Sequence, residues 1–316
     1  MFMKHTGGGK IAILIVYVDD IIILTRSDEA KIARLKKCLA AEFETKDLGT
    51  LQYFLGMEIA KSKKGVVVTQ RKYVVDLLEE TTMSGCRPSD TLMDPNKLRE
   101  LTKGVPIEIG RYQWLVGKLI YLSHTRPDIA FTVSVMNQFM HSPYEKHLET
   151  VYRILRYLKS TPRMRSMFKK SDKRSVEVFI DANQAGSITD RRSTSGYCAF
   201  LWVNLVTWRS KEQNMVAQSS AEVEFKYMEN GVCEILWLKR VLEKLKLNLE
   251  PLMKLFNDNK VVISIANNPV QHDRTKHVKI DRHFIKEKLE SDVICMPFVT
   301  IGKQIADASI NIYTPT

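Results

Sequence analysis

Regular patterning opens with an apolar run at 11–18, interrupted by Asp19-Asp20 and resumed at 21–24. Two β-branched runs around a short acidic break predict a strand hairpin with the acids at its tip. Residues 28–43 place Ile32, Leu35, Leu39 and Phe43 at helical spacing, an amphipathic helix. Residues 55–69 read as a second hairpin turning at Lys63-Lys64-Gly65, and another helix starts at 73–78. The stretch 84–106, rich in Pro, Gly and polar residues, is expected to be a linker. Helices are predicted over 112–124, over 127–140 with Pro127 in the first turn, and over 145–159. A basic run then carries Arg163, Arg165, Lys169, Lys170, Lys173 and Arg174. It is expected to be an exposed joint between domains, able to touch phosphates.

From Val176 the pattern changes to strands at 176–182, 196–203 and 205–209, then a long helix. That helix opens at Ser219-Ser220-Ala221-Glu222, a capping-box spacing, and runs to about Leu245. A strand at 253–257, a helix through Ile263, a helix near 276–289 and a strand at 293–299 follow, and Gln304–Asp307 opens a short helix. Three antiparallel strands followed by alternating helices and strands describe an α/β sheet of mixed strand direction.

Composition narrows the function classes. The 316 residues, 44% of them hydrophobic, suffice for about two domains. Lys and Arg number 48 against 36 Asp and Glu, a net +12 that points to a polyanionic partner, nucleic acid before membrane. Five scattered cysteines without a CxxC pair argue against a disulfide framework or zinc knuckle and fit a reducing compartment. Run 11–18 is too short to span a bilayer, and no signal peptide is visible, so an intracellular, non-secreted protein is expected. TGGGK at 6–10 lacks the spacing and the Ser or Thr of a phosphate loop and reads as a turn.

The acids carry the chemistry. Adjacent carboxylates at Asp19 and Asp20 repel, and divalent cations would neutralise them; an exposed Asp-Asp turn is the ordinary alternative. Asp181 sits near a strand end, where an acid is costly to bury unless paired or bound to metal. On the long helix, Glu222 has Lys226, Glu229 and Arg240 as neighbours, a solvated face that suits capping. Glu224 shares a stripe with Met228, Gly231, Ile235, Leu238 and Leu242, so it is the inward candidate. Asp258 ends a strand just before a helix, where α/β sheets place ligands. Asp307 opens the last helix. Each acid alone has an ordinary explanation as turn former or cap. Together, Asp181, Glu224, Asp258 and Asp307 suit two divalent ions roughly 3.5–4 Å apart acting on a phosphodiester.

The strings YVDDIII, DLGTLQYFLGMEI and YQWLVGKLIYLSHTRPDIAF in the first half carry a family resemblance. In the second half DANQAGSITDRRSTSGYCAF, VTWRSKEQN, SSAEVEF, DNKVVISIANNPVQHDRTKHVKIDRHFIKEKL and QIAD carry it. The chain resembles the reverse transcriptase–RNase H portion of a copia-type LTR-retrotransposon Pol polyprotein over nearly its whole length. The resemblance implies a partial palm at 1–95, a helical thumb/connection at 96–172 and an RNase H-like mixed-sheet domain at 173–316. It implies that Asp19 and Asp20 are the palm pair, and that Asp181, Glu224, Asp258 and Asp307 are the catalytic acids binding two Mg²⁺ or Mn²⁺ ions. Implied partners are RNA–DNA hybrid and other nucleic acid, with association with other Pol or Gag products allowed and no membrane. A cytoplasmic or nuclear location is expected.

The chain also departs from the family pattern. Only 16 residues precede Tyr17, so the palm is expected to lack its third acid and the fingers and to be inactive in DNA synthesis. Gln184 stands where the family usually has Trp, Tyr227 and Glu229 replace small or aliphatic residues, and ASINIYTPT follows Asp307 in place of an LTK-like helix. No His lies between Cys295 and Asp307. A weak or absent nuclease on an intact fold is therefore expected. The alternatives are a non-catalytic basic nucleic-acid-binding remnant and a poorly folding product.

Overall fold

The computed structural model describes residues 2–6, 10–25, 29–93, 104–183, 194–212, 220–267, 276–300, 302 and 304. At 6, 10, 29, 182–183, 194–195, 211–212, 220–224, 267 and 276–282 it describes the backbone alone. Three sheets and eight helices order these residues.

The first sheet is the antiparallel meander β1 (Phe2–Thr6), β2 (Lys10–Tyr17) and β3 (Asp20–Thr25). Strand β1 had no sequence expectation, because FMKHT is short and mixed in polarity. Helix α1 (Glu29–Glu42) packs against β3.

The second sheet runs β4 (Tyr53–Phe54), β5 (Met57–Ser62), β6 (Gly65–Thr69) and β7 (Ser166–Lys169). Its last strand corrects one expectation: part of the basic run pairs with Gly65–Val68 of β6 and is no loose joint. Asn204, buried to 8% exposure, fixes it further. The Lys169 amide donates to Asn204 Oδ1 at 2.6 Å, and Asn204 Nδ2 donates to the Lys169 carbonyl at 3.0 Å. Flanking charge had concealed the strand, since Lys and Arg are also what an edge strand carries.

Between these strands, α2 (Arg71–Glu80), α3 (Ile109–Ser123), α4 (Pro127–Asn137) and α5 (Glu145–Ser160) share one core around Leu77, Tyr112, Leu119, Met136 and Leu155. Met93, from the stretch expected to be a linker, is buried in it. Helix α4 is shorter than its pattern: Gln138, Phe139 and Met140 donate to carbonyls three residues back, a tightened 3₁₀-type exit. Arg126, only 4% exposed, makes a two-pronged ion pair with Asp128 (2.8 and 2.6 Å) and donates to the Thr161 carbonyl and hydroxyl at the end of α5. Tyr157 adds its hydroxyl to Asp128. The TRPD string is thus a buried polar lock between α4 and α5.

The third sheet has the order β10-β9-β8-β11-β12, built from β8 (Val176–Asn183), β9 (Thr194–Leu201), β10 (Asn204–Glu212), β11 (Met253–Phe256) and β12 (Ile294–Cys295). Strands β8, β9 and β10 are antiparallel, while β11 runs parallel to both β8 and β12. This is the expected sheet of mixed strand direction. The strand expected over 293–299 shrinks to two residues, with Phe298 rejoining only as a single bridge to Asn257. Helix α6 (Ser220–Lys244) covers one face, joined by α7 (Lys260–Asn267) and α8 (Lys276–Glu290). At the sheet's β10 edge, Trp208 Nε1 donates to the Ser123 carbonyl and Ser134 Oγ to the Ser210 carbonyl. The α3–α4 pair thereby shields an edge that would otherwise offer unpaired backbone. Among the described residues no helix is long and apolar enough to cross a membrane.

Candidate active site

Strand β8 alternates strictly. Val176, Val178 and Ile180 enter the core beneath α6, and Glu177, Phe179 and Asp181 take the opposite face. On that face Phe179 stacks on Phe256 at 4.5 Å and meets Phe200 edge-on, giving the strand end a rigid apolar floor. Asp181 is the next residue on this face and is half-buried.

The register then brings in Asp258. Lys254, Leu255 and Phe256 lie opposite Glu177, Val178 and Phe179 in the parallel pair. The ladder ends at the Phe256–Phe179 pair, and Asp258 and Asp181 each stand two residues beyond it. The chain is held there by its own side chains. Asn257, 1% exposed, accepts the Asn259 amide at 2.6 Å, and its carbonyl accepts the Val299 amide at 3.0 Å. Asn259 Oδ1 in turn accepts the Val261 and Val262 amides and caps α7. Asp258 therefore sits between a strand that has just ended and a helix that has just been capped. Sequence reasoning found Asp258 but missed Asn257 and Asn259, for which the Asn-x-Asn spacing before an apolar helix was the available signal.

Helix α6 supplies the third position. Its stripe Met228, Gly231, Ile235, Leu238 and Leu242 is buried, while Lys226 and Arg240 are exposed. The helix faces are those expected, and position 224 falls on the buried stripe two turns before Gly231, about 10 Å along the axis. The side chains of Glu222 and Glu224 lie outside the description. Gly231 lets the helix approach closely: a Cβ there would come within 2.7 Å of Leu255 Cδ1 and 2.9 Å of Ile180 Cγ2. Two departures from the family pattern lie on this helix. Tyr227 is buried, and Glu229 pairs with Lys226 on the solvent side.

Asp307 and Gln184 lie outside the described residues. Gln304, which no sequence argument singled out as functional, is buried and donates from Nε2 to the Ile180 carbonyl at 2.8 Å. Among the described residues no group of three or more His, Cys, Asp or Glu side chains comes together to hold a metal. Of the four expected acids, that description includes the side chains of Asp181 and Asp258. Their carboxylate oxygens are the donors that Mg²⁺ or Mn²⁺ prefers.

The palm pair is placed as expected, at a hairpin tip. Tyr17 pairs with Asp20, and Val18-Asp19 form the turn, with both acids exposed. Val18 takes φ 51°, a left-handed conformation unfavourable for a β-branched residue. A separate cleft of about 590 Å³ lies between α3, α4 and the α6 side of β9 and β10. Its one carboxylate, Glu234, already accepts hydrogen bonds from Thr207 (2.7 Å) and Tyr197 (3.0 Å). Burial, reinforced by that carboxylate, holds the Tyr197 phenol well above its usual range.

Residues 1–95 match the reverse transcriptase (RNA-dependent DNA polymerase) family. The chain is 37% identical over 301 residues to the retrovirus-related Pol polyprotein from transposon RE1 of Arabidopsis thaliana, covering 95% of this chain and 20% of that one. It is 32% identical over 240 residues to the putative transposon Ty5-1 protein of Saccharomyces cerevisiae, covering 74% of this chain and 77% of that one. The chain belongs to the copia-type retrotransposon Pol family. This Pol-family chain spans about a fifth of the length of the full Pol polyproteins it matches. Among solved structures, RNase H1 from the halophilic archaeon Halobacterium salinarum overlaps with a TM-score of 0.32 at 10% identity, over 42% of this chain and 90% of that one.

Proposed function

We propose that residues 173–316 form a unit that hydrolyses the RNA strand of RNA–DNA hybrids with Mg²⁺ or Mn²⁺. The observation that supports the reading is the register of the third sheet, whose last β8–β11 pair, Phe179 with Phe256, lies two residues before Asp181 and two before Asp258. In this reading Asp181 and Asp258 are the central acids, and Glu224 and Asp307 complete the set. When bound, two divalent ions would supply an activated water and neutralise charge developing at the phosphodiester. The chain's own part is to hold the acids. The Phe179–Phe256 stack fixes the strand ends, Asn257 and Asn259 fix the turn at Asp258, and the net charge of +12 attracts the duplex. Asp19 and Asp20 are proposed as a palm-derived metal pair, without an activity assigned to them.

That same charge also favours a second reading, a nucleic-acid binder without catalysis. Gel-resolved cleavage of a labelled hybrid by the purified chain with Mg²⁺ or Mn²⁺, beside an all-RNA duplex, separates the two. Hybrid-selective cleavage that stops on chelation supports the hydrolase. Salt-sensitive binding with no cleavage under either metal supports the binder.

A further inference from the structure

We propose that Gln304 is a positioning residue of this site, clamping the strand end that carries Asp181. The inference rests on the hydrolytic reading above. Gln304 is 5% exposed, and its Nε2 reaches the Ile180 carbonyl, 124 residues away in sequence, at 2.8 Å. Ile180 immediately precedes Asp181 and stands one residue beyond the last β8–β11 pair, Phe179 with Phe256. The bond thus falls where the parallel ladder has ended and the acids begin.

The other half of the amide argues for position over stability. Gln304 Oε1 is buried with no hydrogen-bond partner. An unmatched buried acceptor is unfavourable, and a Met of similar length would remove this one while taking the donor from the Ile180 carbonyl, exchanging one unmatched acceptor for another. Flipping the amide is no remedy, because it would set Oε1 against the Ile180 carbonyl oxygen. The side chain is therefore oriented by its one bond, to the backbone beside Asp181.

The test is Gln304→Met in the full chain. Melting temperature is expected to hold or rise slightly, because the apolar isostere keeps the packing. Turnover on hybrid should fall by about 10²-fold with KM changed less than about twofold, the signature of lost positioning without lost binding. The rise in melting temperature that Mn²⁺ produces in the wild-type chain should shrink. An active wild type with an equally active and equally Mn²⁺-responsive variant overturns the clamp, as does a loss of turnover that only tracks loss of folded protein. A wild type that neither cleaves nor responds to Mn²⁺ counts against the hydrolytic reading itself. Hydrogen exchange then decides the clamp: faster exchange at the Asp181 end of β8 in Gln304→Met supports it, and equal exchange overturns it.

Discussion

Gly231→Ala probes how α6 is set over the site. In a helix interior Ala is favoured over Gly by about 1 kcal/mol, so propensity alone predicts stabilisation. Packing opposes it. The new methyl would lie 2.7 Å from Leu255 Cδ1 and 2.9 Å from Ile180 Cγ2, both closer than carbon atoms tolerate. Neither neighbour has room to move: Leu255 is 0% and Ile180 1% exposed, and Ile180 is β-branched and stiff at χ1. Overpacking of this kind costs about 1–3 kcal/mol, leaving a net destabilisation of up to about 2 kcal/mol. At about 2–4 °C per kcal/mol for a unit of this size, the melting temperature should fall by up to about 8 °C. A double-mutant cycle isolates the cause. Leu255→Ala alone should cost about 2–5 kcal/mol, and adding Gly231→Ala on that background should cost much less than in the wild type. A higher melting temperature for Gly231→Ala, or strict additivity in the cycle, would refute the close approach of α6 to β8 and β11.

Other perturbations test other parts of the molecule. Arg126→Met strands the Asp128 carboxylate in a largely buried setting and should cost about 3–5 kcal/mol in urea unfolding, whereas Arg126→Met with Asp128→Leu should recover much of that loss. Burial raises the Tyr73 phenol to about 12, and its hydroxyl donates to the Lys118 carbonyl. Because the folded value lies above the unfolded one of about 10, the stabilisation is complete below pH 10 and is lost as pH rises through about 12. Alkaline unfolding should be shallower in Tyr73→Phe across that window, as read by far-UV circular dichroism. Asn259→Ala removes the α7 cap next to Asp258 and should cost about 1 kcal/mol of stability, with a larger proportional loss of any hybrid cleavage.

Much of this fold was legible because burial enforces period. The alternation of VEVFID and the stripe of Met228, Gly231, Ile235, Leu238 and Leu242 are written by what each element covers, and both hold in the structure. Strand β7 was hidden because an edge strand in a basic run needs only two apolar residues, Met167 and Phe168, to pair. Strand β12 was overestimated because Met296 and Val299 are buried beside the sheet while only the exposed Phe298 rejoins its ladder, in one bridge. At the site, acids announced themselves by type and by position at strand ends. Their supports did not: Asn257, Asn259 and Gln304 act through hydrogen bonds to backbone whose partners are fixed only by the folded register. Neutral amides carry no charge signature, and nothing local in QIAD reveals a bond to a strand 124 residues away.

The central claim is that Asp181 and Asp258 act together at the end of the third sheet. Its most direct test is cleavage of a labelled RNA–DNA hybrid by wild-type chain, Asp181→Asn and Asp258→Asn in Mn²⁺, with hybrid affinity measured in parallel. Both variants should bind the hybrid as well as the wild type and lose cleavage by about 10²-fold or more, since each removes a charged ligand while keeping the side-chain shape. Cleavage that persists in either variant at the wild-type rate would contradict the account.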